Sequence, residues 1–273
     1  MVAITEFKKR VELHLHTKYS PDDSEADVGA YLKKAAGDGQ TAMAVTDFMS
    51  VGAFSEAASK KPEGLRLLFG LEFFMSDGGH AFHTTALAKN ERGIHALASL
   101  SRGGAVYKSA LFKLKDGLLI GSACDEGELY QGLLCGKTEW ELKNMASFYD
   151  YIEVQPPDNF AFLIEQGRVS DKTALTVNIK KLVRLGAFTG VPVVAVGDVC
   201  FLDKGDVCKR EVLLKVKGVS GAYARAPLYF RTTAEMLREF DFLGRDAAWE
   251  ITVENPNRLA SLCEKRLAAE GFA

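Results

Sequence analysis

Short apolar blocks alternate along this chain with longer stretches of helical periodicity. The first block, Val11-Glu12-Leu13-His14-Leu15-His16-Thr17, alternates apolar and polar residues, the pattern of a half-buried strand. Val11, Leu13 and Leu15 then share one face, and Glu12, His14 and His16 the other. Further strands are expected at 42–47, 65–73, 82–88, 117–123, 151–155 and 191–197, with a short extended piece at 228–230. Between them the spacing predicts helices: 24–38 capped by Ser24 or Asp23, then 51–60, 91–101, 126–134, 138–148, 171–189, 232–240 and 246–267. The turn 76–79 and the Gly-containing basic stretch 102–116 read as loops.

Seven strands alternating with helices point to an α/β fold with a parallel sheet or barrel. A chain of 273 residues that is 47% hydrophobic can bury a sizeable core as one domain. We expect a single domain over 1–273, a barrel over about 8–203 followed by a helical extension over 204–273. The net charge of −2 leaves no footprint for sequence-independent nucleic-acid binding. A local basic groove stays open, although 108–115 reads as a solvated loop. No apolar run is long enough to span a membrane, and residues 1–10 lack the character of a signal peptide. The five cysteines are odd in number and lack close pairing, which fits a reducing cytoplasm.

Chemistry collects at strand ends, where barrels of this class build their active sites. His14 and His16 lie two residues apart on one strand face, a spacing one metal ion can bridge. Asp47, Glu72, Cys124, Glu153 and Asp198 each close a block. His83 opens its strand instead, so either that strand runs opposite to its neighbours or its start is misplaced. Two imidazoles, several carboxylates and a thiol suit borderline divalent ions such as zinc or manganese, with iron a further candidate. A bridging carboxylate could hold two ions about 3.5–4 Å apart, the clamp used in phosphoester cleavage. Core packing is the alternative for Cys200, as for any free thiol. Asp47 could orient a ligating histidine, Glu153 reads as structural, His80 and His95 as surface residues, and Cys135, Cys208 and Cys263 as helix packing.

The runs Lys9–Thr17, Ala44–Asp47, Phe69–Glu72, Gly121–Cys124, Gly127–Leu129, Ala146–Tyr151 and Tyr229–Thr233 together resemble the PHP (polymerase and histidinol phosphatase) domain, of the kind in PolC-type bacterial DNA polymerase III alpha subunits. The resemblance covers about 8–262. It implies a seven-stranded distorted (β/α), TIM-like barrel with up to three metals at its mouth. Carried across, the ligands of one metal are His14, His16, Glu72 and Asp198. A second takes Glu72 as a bridge, His83 and Cys124, and a third takes Asp23 with the positions of Phe48 and Cys200. The family's Thr-Asp-His is here Thr46-Asp47-Phe48, and Phe cannot bind a metal, so two sites are expected and a third impaired.

The connection that carries an exonuclease domain in such polymerases is short here, 76–82, and no palm or fingers sequence is present. The expectation is therefore a PHP domain standing alone in the cytoplasm. It would hydrolyse a phosphorylated small molecule or nucleotide, with Glu72 and Asp198 central to catalysis. The alternative is a noncatalytic, metal-stabilised scaffold or polymerase-associated module.

Overall fold

The computed structural model describes residues 8–20, 24–219, 221, 223–265 and 267. Its strands are β1 (Ala42–Val45), β2 (Arg66–Asp77), β3 (His80–Ala88), β4 (Val106–Tyr107), β5 (Leu118–Gly121), β6 (Ile152–Val154) and β7 (Val193–Ala195). They form a five-stranded sheet ordered β1-β2-β3-β5 with β4 on β2, and a two-stranded sheet of β6 and β7. The α/β expectation holds. A closed seven-stranded barrel is not what these ladders form. Single bridges, Glu12–Met43, Leu15–Val199 and Gly121–Tyr151, connect segment 11–17 to β1 and to the chain after β7, and one sheet to the other.

Segment 11–17 was expected as an ordinary half-buried strand and is neither. Every residue from Arg10 to Thr17 is buried, and side chains replace much of its ladder. The Glu12 carboxylate accepts from the backbone N–H groups of Leu13, His14 and Gly197 at 3.0–3.1 Å. Its charge is met by Arg10 at 2.7 Å, both side chains fully buried. Thr46 Oγ1 takes the Leu15 N–H at 2.8 Å. With amides bonded to side chains, only isolated bridges remain for a strand to register. Leu15 also leaves the face of Val11 and Leu13. Those two pack with residues from β1, β2, β3, β5 and β7, whereas Leu15 joins the larger core under the helices.

The β2–β3 hairpin resolves the orientation of His83. Asp77 pairs with His80 across Gly78 and Gly79, whose φ values of 55° and 83° make the two-residue turn that right-twisted antiparallel strands accept. β3 therefore runs back along β2 and carries His83 beside it. β2 is also longer than expected, and Glu72 lies in its middle rather than near its end.

Other departures have local causes. Asp27, not Ser24 or Asp23, caps the first helix, Val28–Gly37, by accepting from Gly29 N–H. The loop 102–116 contains β4 and a short helix, Lys108–Phe112, and Lys108 clamps it down with two 2.7 Å bonds to buried Glu128. The expected helix 246–267 is broken into Arg245–Trp249, a π turn over Glu250–Glu254 and Asn255–Leu262. Pro256 explains the break, since it lacks an N–H and its ring crowds the carbonyl one turn earlier. Towards the C-terminal end of the described residues, Leu259, Ala260 and Cys263 pack into the inner cluster with Val11 and Leu13. A helix over Val207–Val216 precedes them. Among the described residues no helix is long and apolar enough to cross a membrane.

Candidate metal centre

Three strand exits near the site carry non-glycine residues in the left-handed region: Met49 (φ 51°), Ala123 (56°) and Asp198 (50°). Such backbone is uncommon outside Gly, and it collects where function demands an awkward side-chain direction. Here it accompanies Phe48, Cys124 and Asp198.

Two groups of possible ligands converge among the described residues, His14–His16–Asp198 and Glu72–His83–Cys124, the donor atoms of each lying within 4.8 Å of one another. Glu72 stands between them. Its Oε1 is 3.7 Å from His14 Nε2 and 3.0 Å from His83 Nδ1, and its Oε2 is 3.5 Å from His16 Nε2. Asp198 Oδ1 lies 3.5 Å from His14 Nε2 and 3.2 Å from His16 Nε2. Cys124 Sγ is 3.5 Å from His83 Nδ1 and 3.7 Å from Glu72 Oε1.

Second partners fix the rings of His14 and His16. His14 Nδ1 donates to the acceptor-only carboxylate of Glu153 at 2.7 Å, and Thr85 and then Tyr151 hold Glu153 from behind. Ser20 gives its one proton to Asp47 at 2.8 Å, so its oxygen is left to accept from His16 Nδ1 at 3.0 Å. Both histidines thus present Nε2 to the carboxylates. Gln155 donates to Asp198 Oδ2 at 3.1 Å, leaving Oδ1 for the histidines. Asn159 holds Gln155 and is itself held by Arg231.

A cation fits this arrangement. His14 Nε2 is buried without a hydrogen-bond partner, yet it faces two carboxylates, and an unpaired buried polar atom is costly. Burial alone would lower the pKa of His14, but Glu153, Asp198 and Glu72 outweigh it and raise it well above 6.5. Burial opposes a charged His83 as well, and Glu72 lifts it to about 9. Conversely, burial would raise Glu72, and His83 and His14 hold it well below the usual carboxylate range. Burial, reinforced by Glu72, pushes the Cys124 thiol well up. These shifts favour the protonated form of the imidazoles and of the thiol. Ligation requires both to give protons up.

Of the expected ligands, His14, His16, Glu72, His83, Cys124 and Asp198 are brought together. Asp23, and Asp22 beside it, lie outside the described residues. Cys200 is buried with Sγ 3.7 Å from the Asp198 carbonyl and belongs to neither group. Phe48 stacks on His83. Asp47 acts on His16 through Ser20, close to its expected part. Glu153, expected to be merely structural, touches His14 directly. Gln155 and Asn159 were missed: Gln155 closes the expected strand 151–155, Asn159 lies in the 3-10 turn Pro157–Phe160, and neither amide signals metal chemistry. His80 and His95 are exposed, as expected. A cavity of about 230 Å³ opens over the cluster, walled on the far side by Phe160, Phe162 and Tyr223.

The PHP domain model matches residues 12–164. DNA polymerase III PolC-type of Clostridium perfringens (strain 13 / Type A) is 42% identical over 191 residues, covering 67% of this chain and 13% of the polymerase. That of Bacillus subtilis (strain 168) is 41% identical over 195 residues, covering 67% and 14%. The chain therefore spans a small part of the curated relatives it matches. A solved two-domain protein from Bacteroides vulgatus ATCC 8482, containing a predicted PHP-like metal-dependent phosphoesterase, aligns with a TM-score of 0.41 and 13% identity. It covers 70% of this chain and 52% of that one, a likeness too loose to bear on function. The sequence match extends over more than half of the chain, which belongs to the PHP domain family.

Proposed function

We propose that this chain hydrolyses a phosphoester at a two-metal centre. One ion is held by His14, His16, Glu72 and Asp198, the other by Glu72, His83 and Cys124. The observation that carries this reading is Glu72, one buried carboxylate with its oxygens turned toward three imidazoles of two ligand groups. When bound, a divalent pair such as zinc or manganese supplies Lewis-acid activation of water and neutralises charge on the phosphoryl oxygens. Glu153 and Ser20 hold the His14 and His16 lone pairs inward. Gln155 fixes which Asp198 oxygen faces the ions. The cavity over the cluster admits a phosphorylated small molecule or a nucleotide. We read the two bridged sheets as a distorted version of the family's (β/α) barrel, with the site at one end.

The test is turnover of p-nitrophenyl phosphate and bis-p-nitrophenyl phosphate with added manganese. Wild type should exceed a His14→Ala control. Equal rates would sink the hydrolase reading.

A second reading is favoured by Phe48 at a ligand position and by polymerases as relatives. The chain would then be a metal-stabilised module of a polymerase assembly without activity of its own. Metal content without turnover would support it.

A further inference from the structure

Phe48 is where this chain departs from the ligand pattern, and its surroundings give it another task. Its backbone forms a parallel bridge with Glu72, and the Met49 N–H donates to the Glu72 carbonyl at 2.8 Å. Residues two apart on a strand share a face, so Glu72 and Phe74 project together. The β2–β3 register then sets Phe74 directly across from His83. Three rings meet as a result. Phe48 lies over the His83 imidazole with centroids 5.1 Å apart and planes 28° from parallel. Phe74 meets Phe48 edge-on at 5.2 Å and 89°, and His83 at 5.2 Å and 76°.

His83 needs such walls more than its counterparts do. Its side chain is 24% exposed, whereas that of His14 is fully buried. Glu153 and Ser20 orient His14 and His16 through the nitrogen that faces away from the cluster. The contacts flanking the His83 ring are aromatic, in the stacked and edge-to-face geometries that aromatic quadrupoles prefer. Held between them, the ring turns Nδ1 to Glu72 and Cys124.

We propose that Phe48, together with Phe74, is a positioning residue for the second metal. Aromatic packing does for His83 what hydrogen bonds do for His14 and His16. Phe48 offers no ligand atom of its own, and its ring serves the second site instead. This inference rests on the two-metal reading above.

Cobalt(II) titration separates the two ions, because only the one bound to Cys124 gives a thiolate-to-metal charge-transfer band. Losing a group that orients a ligand costs about 10–100-fold in metal affinity. Phe48→Leu should therefore raise the cobalt concentration at half-saturation of that band by about tenfold or more. The thiolate-free ion should titrate as in wild type. Phe48→Tyr, which keeps the ring, should restore the band. Phe74→Leu leaves Phe48 in place and should shift the same band in the same direction, so the inference does not depend on one variant folding. An unshifted band in Phe48→Leu, or equal shifts of both ions, overturns it. A wild-type protein lacking the band at saturating cobalt refutes the two-metal reading itself, and this inference with it.

Discussion

The ligand groups on either side of Glu72 are organised by different physics. His14, His16 and Asp198 sit in a fully connected polar network that reaches Tyr151 on one side and Arg231 on the other. Each member has its second atom committed to a named donor or acceptor. Around His83 and Cys124 the supports are rings and a backbone turn, and the histidine is open to solvent on one side. Polar networks fix direction strongly but leave an uncompensated group when one member is lost. Aromatic packing fixes a ring's plane without committing a polar atom, so its loss strands no buried charge. The two ions should therefore respond differently to the same kinds of change.

The largest expected effect lies on the polar side. His14→Ala strands the buried Glu153 carboxylate, and breaking a buried pair costs on the order of 3–5 kcal/mol. Urea unfolding in the presence of chelator should show that loss. A change below about 1 kcal/mol, the range of surface pairs, would break the comparison.

Next is the pH dependence of metal stabilisation. In chelated protein the pKa values of His14, His16 and His83 are raised above 6.5. Their contribution is thus complete below pH 6.5 and is lost as the pH rises, through about 9 for His83. At 1.36 kcal/mol per pKa unit, His83 alone accounts for at most about 3 kcal/mol. Glu72 and Asp198 have lowered values, so their contribution is present above the ordinary carboxylate range and is lost only in acid. Metal-loaded protein runs the other way, since its imidazoles must be neutral. The gap in melting temperature between loaded and chelated protein should therefore widen from pH 6.5 to 9. A constant gap would count against imidazole ligation.

A smaller, one-sided effect is expected at Gln155. Gln155→Leu frees Asp198 Oδ2 and should weaken the thiolate-free ion about tenfold, leaving the cobalt–thiolate band in place. Equal weakening of both ions would mean that the two groups are a single unit. Smallest of all, Cys200→Ser should leave the metal content measured by elemental analysis unchanged, because Cys200 stands outside both groups. Loss of an ion there would restore a third site.

What could be read from the sequence was residue type in register. The His-x-His pair, the carboxylates and Cys124 were legible because they recur where apolar blocks close. His83 became interpretable only with the Gly78–Gly79 turn, which reverses the strand. The second layer was not legible. Glu153 sits on β6 like any buried strand residue, and only folding brings it to His14, 139 residues away in sequence. Gln155 and Asn159 carry no charge, and Asn159 reaches Gln155 only through the 3-10 turn Pro157–Phe160. Segment 11–17 was misread as half-buried because its polar residues mark chemistry and amide capture, not solvent.

That segment also bears on how the chain assembles in time. Arg10 N–H reaches Thr233 Oγ1 across 223 positions, and Glu12 takes the Gly197 N–H across 185. Loop closure over such spans must precede any reward from the contact, which slows folding. During synthesis Glu12 leaves the ribosome 185 residues ahead of the Gly197 amide it captures. Segment 11–17 is thus the latch of the fold rather than its seed, and a ribosome-bound chain ending before residue 197 should leave it exposed to proteases.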